Sequence, residues 1–286
     1  MTSQPAGEPT IRVLADAEAA ARAAAERIAA TLTAAVARRG RADFATTGGS
    51  NPVAIYRHLA TSPLRESVPW DDVHIWFGDD RYLPRDHPLS NVILVDQGLL
   101  AGAAFAGQSG TGASGIDVER GRDQGVQLPP DHVHPFPVAE AIGEARGPAW
   151  CAATYAAEIR ATVPSDDAGW PAFDLLLIGV GPDAHVLSVF PGSAALASPD
   201  LALAIPAPTH VEPHVERVTL NPAILGAAGD LVAVVPGSAK AEAVSEIFGP
   251  RRDPDRWPAQ LARRAGAIWF LDEAAAARLP SDAVRA

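Results

Sequence analysis

The segment Phe173-Asp174-Leu175-Leu176-Leu177-Ile178-Gly179-Val180 runs largely apolar into Gly181-Pro182 and then sets Asp183 and His185 two residues apart. An imidazole titrates near neutrality and can take a proton from water, and a carboxylate beside it holds one tautomer, so the pair suits general-base chemistry. A core or capping histidine would use the same residue, but the place after an apolar run and the acidic neighbour favour function. Thr47-Gly48-Gly49-Ser50-Asn51-Pro52 offers paired glycines, capping side chains and a proline for a first helical turn. That combination makes either an anion cradle of helix N-terminal amides or a tight strand-to-helix turn. It is neither a Walker loop nor a GxGxxG fingerprint.

Gly78-Asp79-Asp80-Arg81-Tyr82, with Ser90-Asn91 farther on, sets two carboxylates and a fork-shaped guanidinium after another apolar run. Such a group binds a polar substrate or forms ion pairs in a solvated loop. Arg217-Val218-Thr219-Leu220 and Pro236-Gly237-Ser238-Ala239-Lys240 each bring a cation near a strand end or a helix start. His210 and His214 with Glu212 and Glu216, and His132 with His134, have ligand-type side chains without a third ligand at regular spacing, and Pro213 interrupts the first set. No metal site is expected from them.

Positioning these groups falls to short apolar runs at residues 11–14, 44–46, 73–77, 175–180, 231–235 and 268–271. Several are unbroken, as in strands buried on both faces. Between them, helices are predicted over residues 16–39, 52–59, 150–162, 240–248 and 273–279. The first is the clearest: Ala21, Ala25, Ile28, Leu32 and Val36 share a face, Asp16 is placed to cap it, Arg38 and Arg39 suit its last turn, and Gly40 stops it. Strands alternating with helices predict an α/β fold with a doubly wound, mainly parallel sheet and helices on both faces. Ligands of such sheets collect at the carboxyl ends of the strands, where the groups above lie.

The chain has 286 residues, a formal charge of −11 and one cysteine, Cys151. A nucleic-acid or anionic-membrane binder usually needs net positive charge, so neither partner is expected, and any phosphorylated ligand needs a local basic cluster. One thiol closes no internal disulfide, which points to a reducing compartment. No leader-like start and no uninterrupted apolar run of about 18 residues occurs, so a cytoplasmic location is expected. Residues 1–9 read as a loose tail, residues 10–286 as a single domain, and residues 101–127, rich in glycine, serine and charge, as a flexible insertion.

Together TTGGSNP, WDDVHIWFGDDRY with the later SN, FDLLLIGVGPDAHVLSVFPGS, RVTL and VPGSAKAEAV, in that order, resemble the 6-phosphogluconolactonase family, a relative of the glucosamine-6-phosphate isomerase/deaminase group. The resemblance implies a Rossmann-like α/β fold and hydrolysis of 6-phospho-D-glucono-1,5-lactone to 6-phosphogluconate in the oxidative pentose phosphate pathway. It implies a sugar-phosphate substrate as the partner of a monomer or small homo-oligomer, with no metal or organic cofactor. By the same resemblance His185 is the general base, Asp183 its orienting carboxylate, and Arg81 the arginine facing substrate oxygens. Gly48, Gly49, Ser50, Arg217 and Lys240 are similar to the 6-phosphate site, and Asp79 and Asn91 are counted with the substrate-binding residues. Two departures stand out: Ala184 replaces a customary glycine, and Asp80 stands where a glutamate is usual. The deaminase/isomerase group is the alternative, but it carries an acid shortly after the histidine, whereas Val186-Leu187-Ser188-Val189-Phe190-Pro191-Gly192 holds none. A catalytically silent sugar-phosphate-binding homologue is the other alternative.

Overall fold

The computed structural model describes residues 7–100 and 125–279. In chain order they form β1 (Thr10–Leu14), α1 (Ala17–Arg39), β2 (Ala42–Thr46), α2 (Ser50–Leu59), α3 (Leu64–Ser67), β3 (Val73–Phe77), β4 (Asp79–Arg81) and α4 (Asn91–Gly98). Then come β5 (Val133–His134), α5 (Val138–Gly143), α6 (Pro148–Thr162), β6 (Leu175–Ile178), β7 (Ala202–Ile205) and β8 (Arg217–Leu220). The chain continues through α7 (Ile224–Ala227), β9 (Asp230–Val235), α8 (Ala241–Phe248), β10 (Ala267–Asp272) and α9 (Glu273–Ala276).

Local chemistry sets the bounds of α1. The Asp16 carboxylate accepts from the Ala19 N–H at 2.8 Å, and Gly40 closes the helix at φ 74°, its N–H bonded to the Val36 carbonyl at 2.7 Å. A side chain at that φ would be strained, so glycine is the natural stop. Ala21, Ala25, Ile28 and Leu32 are buried on the expected face. Other boundaries move slightly. The strand expected over 175–180 ends at Ile178, the helix expected from Lys240 starts at Ala241 after a 3-10 turn, and the last ends at Ala276.

Seven strands pair in the order β1-β10-β9-β6-β2-β3-β5, every neighbour parallel. Every residue of β2 and of β6 is buried, so alternate side chains are covered on both faces, as expected for a parallel sheet between helical layers. From the middle of the sheet, β2 leads to β3 and β5 on one side and β6 to β9 and β10 on the other. Strand order therefore reverses between β2 and β6, and the crevice outside their carboxyl ends is where such folds bind ligands.

A second, antiparallel sheet, β4-β8-β7, is not apparent from sequence. Asp79–Arg81 reads as a loop, yet Gly78 joins the two sheets: its N–H bonds the Thr46 carbonyl at 2.7 Å and its carbonyl accepts the Leu220 N–H at 2.8 Å. At the margins of the segments expected to be loose, Glu8 pairs with Arg263, while Val126 is buried and its N–H bonds the Leu99 carbonyl at 3.0 Å. The remainder of those expectations lies outside the described residues. No helix among the described residues is long and apolar enough to cross a membrane.

At the β3–β5 edge, His74 Nδ1 lies 2.9 Å from His134 Nε2, His134 Nδ1 lies 2.7 Å from Glu158 Oε1, and the His74 ring stacks on His132. Burial first, then the charges of Arg41, His132 and His134, lower the His74 pKa to about 4. The unfolded chain protonates this imidazole near about pH 6.5, where the folded chain resists. Its contribution to stability is therefore complete above that range and lost as pH falls toward the folded value. The thermal midpoint should drop more steeply from about pH 7 to about pH 5 in the wild type than in His74→Phe. Equal slopes by circular dichroism would remove His74 as the cause.

Candidate active site

Beyond β6 the chain folds into a small loop in which the Gly181 N–H bonds the His185 carbonyl at 2.9 Å and the Ala184 N–H bonds the Gly181 carbonyl at 3.0 Å. The loop holds Asp183 against His185: Nδ1 of the imidazole is 2.6 Å from Asp183 Oδ1, which also accepts the His185 backbone N–H at 3.2 Å. An ionised carboxylate only accepts, so Nδ1 carries the hydrogen, and in the neutral form of the imidazole the free lone pair is on Nε2. Burial alone would raise the Asp183 pKa, but the hydrogen bonds and charge of His185, with a further bond from His210, hold it below the usual carboxylate range. Asp183 is thus ionised, and its contact with Nδ1 selects the tautomer that a neutral His185 adopts.

Gly181 is part of this arrangement. A Cβ there would lie 2.0 Å from His185 Nδ1 and 2.5 Å from Asp183 Oδ1, so the imidazole packs directly on glycine backbone. Ala184, where the resemblance implies a glycine, is buried at φ 61°. An alanine in that left-handed region costs about 1–2 kcal/mol. Leu187 and Ser188 adopt φ 52° and 54°, concentrating backbone strain around the imidazole.

Asp79, Asp80 and Arg81 form a strand rather than a solvated loop. Asp79 joins three segments: Oδ2 accepts Ser188 Oγ at 2.5 Å, Oδ1 accepts Thr47 Oγ at 3.3 Å, and its carbonyl accepts Asn91 Nδ2 at 2.8 Å. Buried Asp80 accepts the N–H groups of Asn91 and Arg81 on Oδ1, at 2.6 and 2.7 Å, and Ser90 Oγ on Oδ2 at 3.1 Å. Burial pushes its carboxyl up to about 7, against the pull of the Asn91 and Arg81 amides. Asp80 thereby joins the start of α4 to Arg81, whose Nη1 also donates to Asn91 Oδ1 at 2.7 Å. Gly48 lies against the same amide, where a Cβ would come within 1.7 Å of Asn91 Oδ1.

Sequence separates Arg81 from Arg217, but the antiparallel register of β4 and β8 sets them opposite one another. The Nε of each is buried without a hydrogen-bond partner. Burial first, then the adjacent Arg81 charge, lower the Arg217 pKa, opposed by Asp79 and Asp80. Paired cations with unsatisfied donors are costly when buried, and a bound anion relieves both penalties. Lys240, at the turn before α8, is likewise lowered by burial and raised by the Asp183 charge. Gly49 precedes α2 at φ 98°, and Ser50 is the first residue of that helix. Phe190 connects the two halves of the site, its ring centroid 4.7 Å from that of His185 and 5.4 Å from the Arg217 guanidinium.

No group of three or more His, Cys, Asp or Glu side chains among the described residues is arranged to hold a metal ion. His210 and His214 diverge: the first meets Asp183 Oδ2 and the second bonds the Pro208 carbonyl.

A family model described as glucosamine-6-phosphate isomerases/6-phosphogluconolactonase matches residues 15–270. The chain belongs to this family. A 6-phosphogluconolactonase from Synechocystis sp. is 32% identical over 249 residues, which cover 87% of this chain and 89% of the relative. One from Streptomyces coelicolor is 32% identical over 273 residues, 95% of each. The solved structure of 6-phosphogluconolactonase from Trypanosoma brucei has a TM-score of 0.76 at 25% identity, covering 96% of this chain and all of that one. Within the glucosamine-6-phosphate isomerase/6-phosphogluconolactonase fold, the contacts of Ser188 and Phe190 explain two side chains present in the quoted motif to which sequence reasoning assigned no task. Thr47 also stands in a quoted motif and His210 reads only as a ligand-type side chain; the contacts they make, with Asp79 and Asp183, depend on distant segments that local sequence does not link to them.

Proposed function

We propose that the protein hydrolyses 6-phospho-D-glucono-1,5-lactone to 6-phosphogluconate in the oxidative pentose phosphate pathway, with His185 as general base. The His185–Asp183 pair carries this reading: an imidazole with its Nε2 lone pair free, held at the carboxyl end of β6 where strand order reverses. A water bound at Nε2 gives up its proton as its oxygen bonds the lactone carbonyl carbon. The carbonyl oxygen takes the electron pair, and Arg81 stabilises the charge that develops there. Collapse of this intermediate breaks the bond to the ring oxygen, which receives the proton from Nε2, and the new carboxylic acid ionises in water. Asp183 stabilises the imidazolium between the two transfers. Arg217, Lys240 and the amides at Gly48, Gly49 and Ser50 hold the 6-phosphate, while Asp79 and Asn91 line the sugar side.

The relatives' names and the absence of an acid in the seven residues after His185 favour lactone hydrolysis over ring-opening deamination. Freshly generated 6-phosphogluconolactone should be hydrolysed well above its spontaneous rate, and glucosamine 6-phosphate should release no ammonia. Ammonia release without lactone hydrolysis would overturn the reading. Arg217→Ala and Lys240→Ala should each raise KM about 10- to 100-fold, the size of a lost charge-assisted hydrogen bond, and narrow discrimination against unphosphorylated gluconolactone. Discrimination preserved in both variants would move the phosphate elsewhere.

A further inference from the structure

Asp183 meets an imidazole on each carboxylate oxygen. His185 Nδ1 takes Oδ1 at 2.6 Å, and His210 Nε2 lies 3.1 Å from Oδ2. Because the carboxylate can only accept, Nε2 of His210 carries a hydrogen. His210 comes from the connection between β7 and β8, and its edge packs on Phe190, 5.5 Å between centroids, while the same Phe190 ring packs against His185. The carboxylate torsion of aspartate is a broad, soft rotor. The two bonds on Oδ1, from Nδ1 and the backbone N–H of His185, both meet one oxygen and leave the carboxylate free to turn about it, and with it the acceptor that orients the His185 ring. A second donor on Oδ2, approaching from another segment, removes that freedom.

We infer that His210 is a positioning residue: its Nε2–H bond to Asp183 Oδ2 fixes the carboxylate plane and thereby the orientation of the His185 ring. Its side chain is half exposed, so the fold does not depend on its burial. Charged groups also surround the pair, with Lys240 facing Asp183 from the turn before α8 and Arg217 facing Phe190 from β8. The inference rests on the assignment of His185 as the base.

His210→Ala and His210→Gln test it beside His185→Asn, with steady-state lactone hydrolysis and thermal midpoints measured for each. In His210→Ala, kcat should fall about three- to tenfold, the size of one hydrogen bond, with KM and thermal midpoint unchanged. His210→Gln, whose amide nitrogen can replace the ring donor, should recover most of the loss. An unchanged kcat in His210→Ala, an equal loss in both His210 variants, or a change confined to KM would overturn the inference. Full turnover in His185→Asn would instead overturn the base assignment, whereas an inactive His185→Asn beside an unaffected His210→Ala would overturn positioning alone.

Discussion

His185→Asn should lower the rate of 6-phosphogluconolactone hydrolysis by about 10²–10⁴-fold, the usual loss on removing a general base. Asparagine is the informative replacement because its amide nitrogen can occupy the place of Nδ1 and still donate to Asp183 Oδ1, now 2.6 Å from the ring. The pair keeps its bond and Asp183 keeps a donor, but no lone pair remains where Nε2 stood. Circular dichroism and a near-wild-type thermal midpoint would show that the fold survives, and the loss should appear in kcat rather than KM. Near-normal turnover in a folded His185→Asn would remove His185 from the chemistry.

Gly181→Ala should cost about a hundredfold in kcat without touching any group that performs chemistry, because a displacement of roughly 1 Å at a reacting group has an effect of that size. The added methyl would stand 2.0 Å from Nδ1 and 2.2 Å from Cε1 of His185 and 2.5 Å from Asp183 Oδ1. All three lie far inside van der Waals contact, and the loop is closed by the Gly181 N–H on the His185 carbonyl at 2.9 Å, so backbone and imidazole cannot separate freely. The ring has to swing, carrying Nε2 away from the place where the proposed mechanism has it activate water. Substrate affinity, which the proposed function assigns to cations elsewhere in the site, should change little. A fully active Gly181→Ala would mean that the working position of the imidazole is not the one seen here.

Much of this protein is legible locally. The bounds of α1 follow from Asp16 and Gly40, since capping and a left-handed stop are settled within a few residues. Six of the seven strands of the main sheet follow from short apolar runs, several of them unbroken, and β5 alone comes from none. The Asp183–His185 pair follows from spacing at the end of one of those runs. Ala184 is an intermediate case. Its departure from glycine is visible in sequence, but its φ of 61° appears only once the loop is built.

Other features depend on which strand ends become neighbours. Asp79 and Ser188 are 109 residues apart, yet share a hydrogen bond because β4 is carried across the carboxyl ends of the main sheet. Arg81 and Arg217 become one pair of cations, each with a buried Nε that lacks a partner, through the β4–β8 register, which no local period encodes. His210, which reads as half of a poor metal motif, becomes the second donor to Asp183. Periodicity and capping report interactions along a few turns of chain, so the amino-acid order alone determines the long helices, most strands of the main sheet and the chemistry delivered at their ends. Strand order and register decide which of those ends share a crevice, because backbone hydrogen bonding and burial of apolar faces are satisfied over the whole molecule rather than within a few turns.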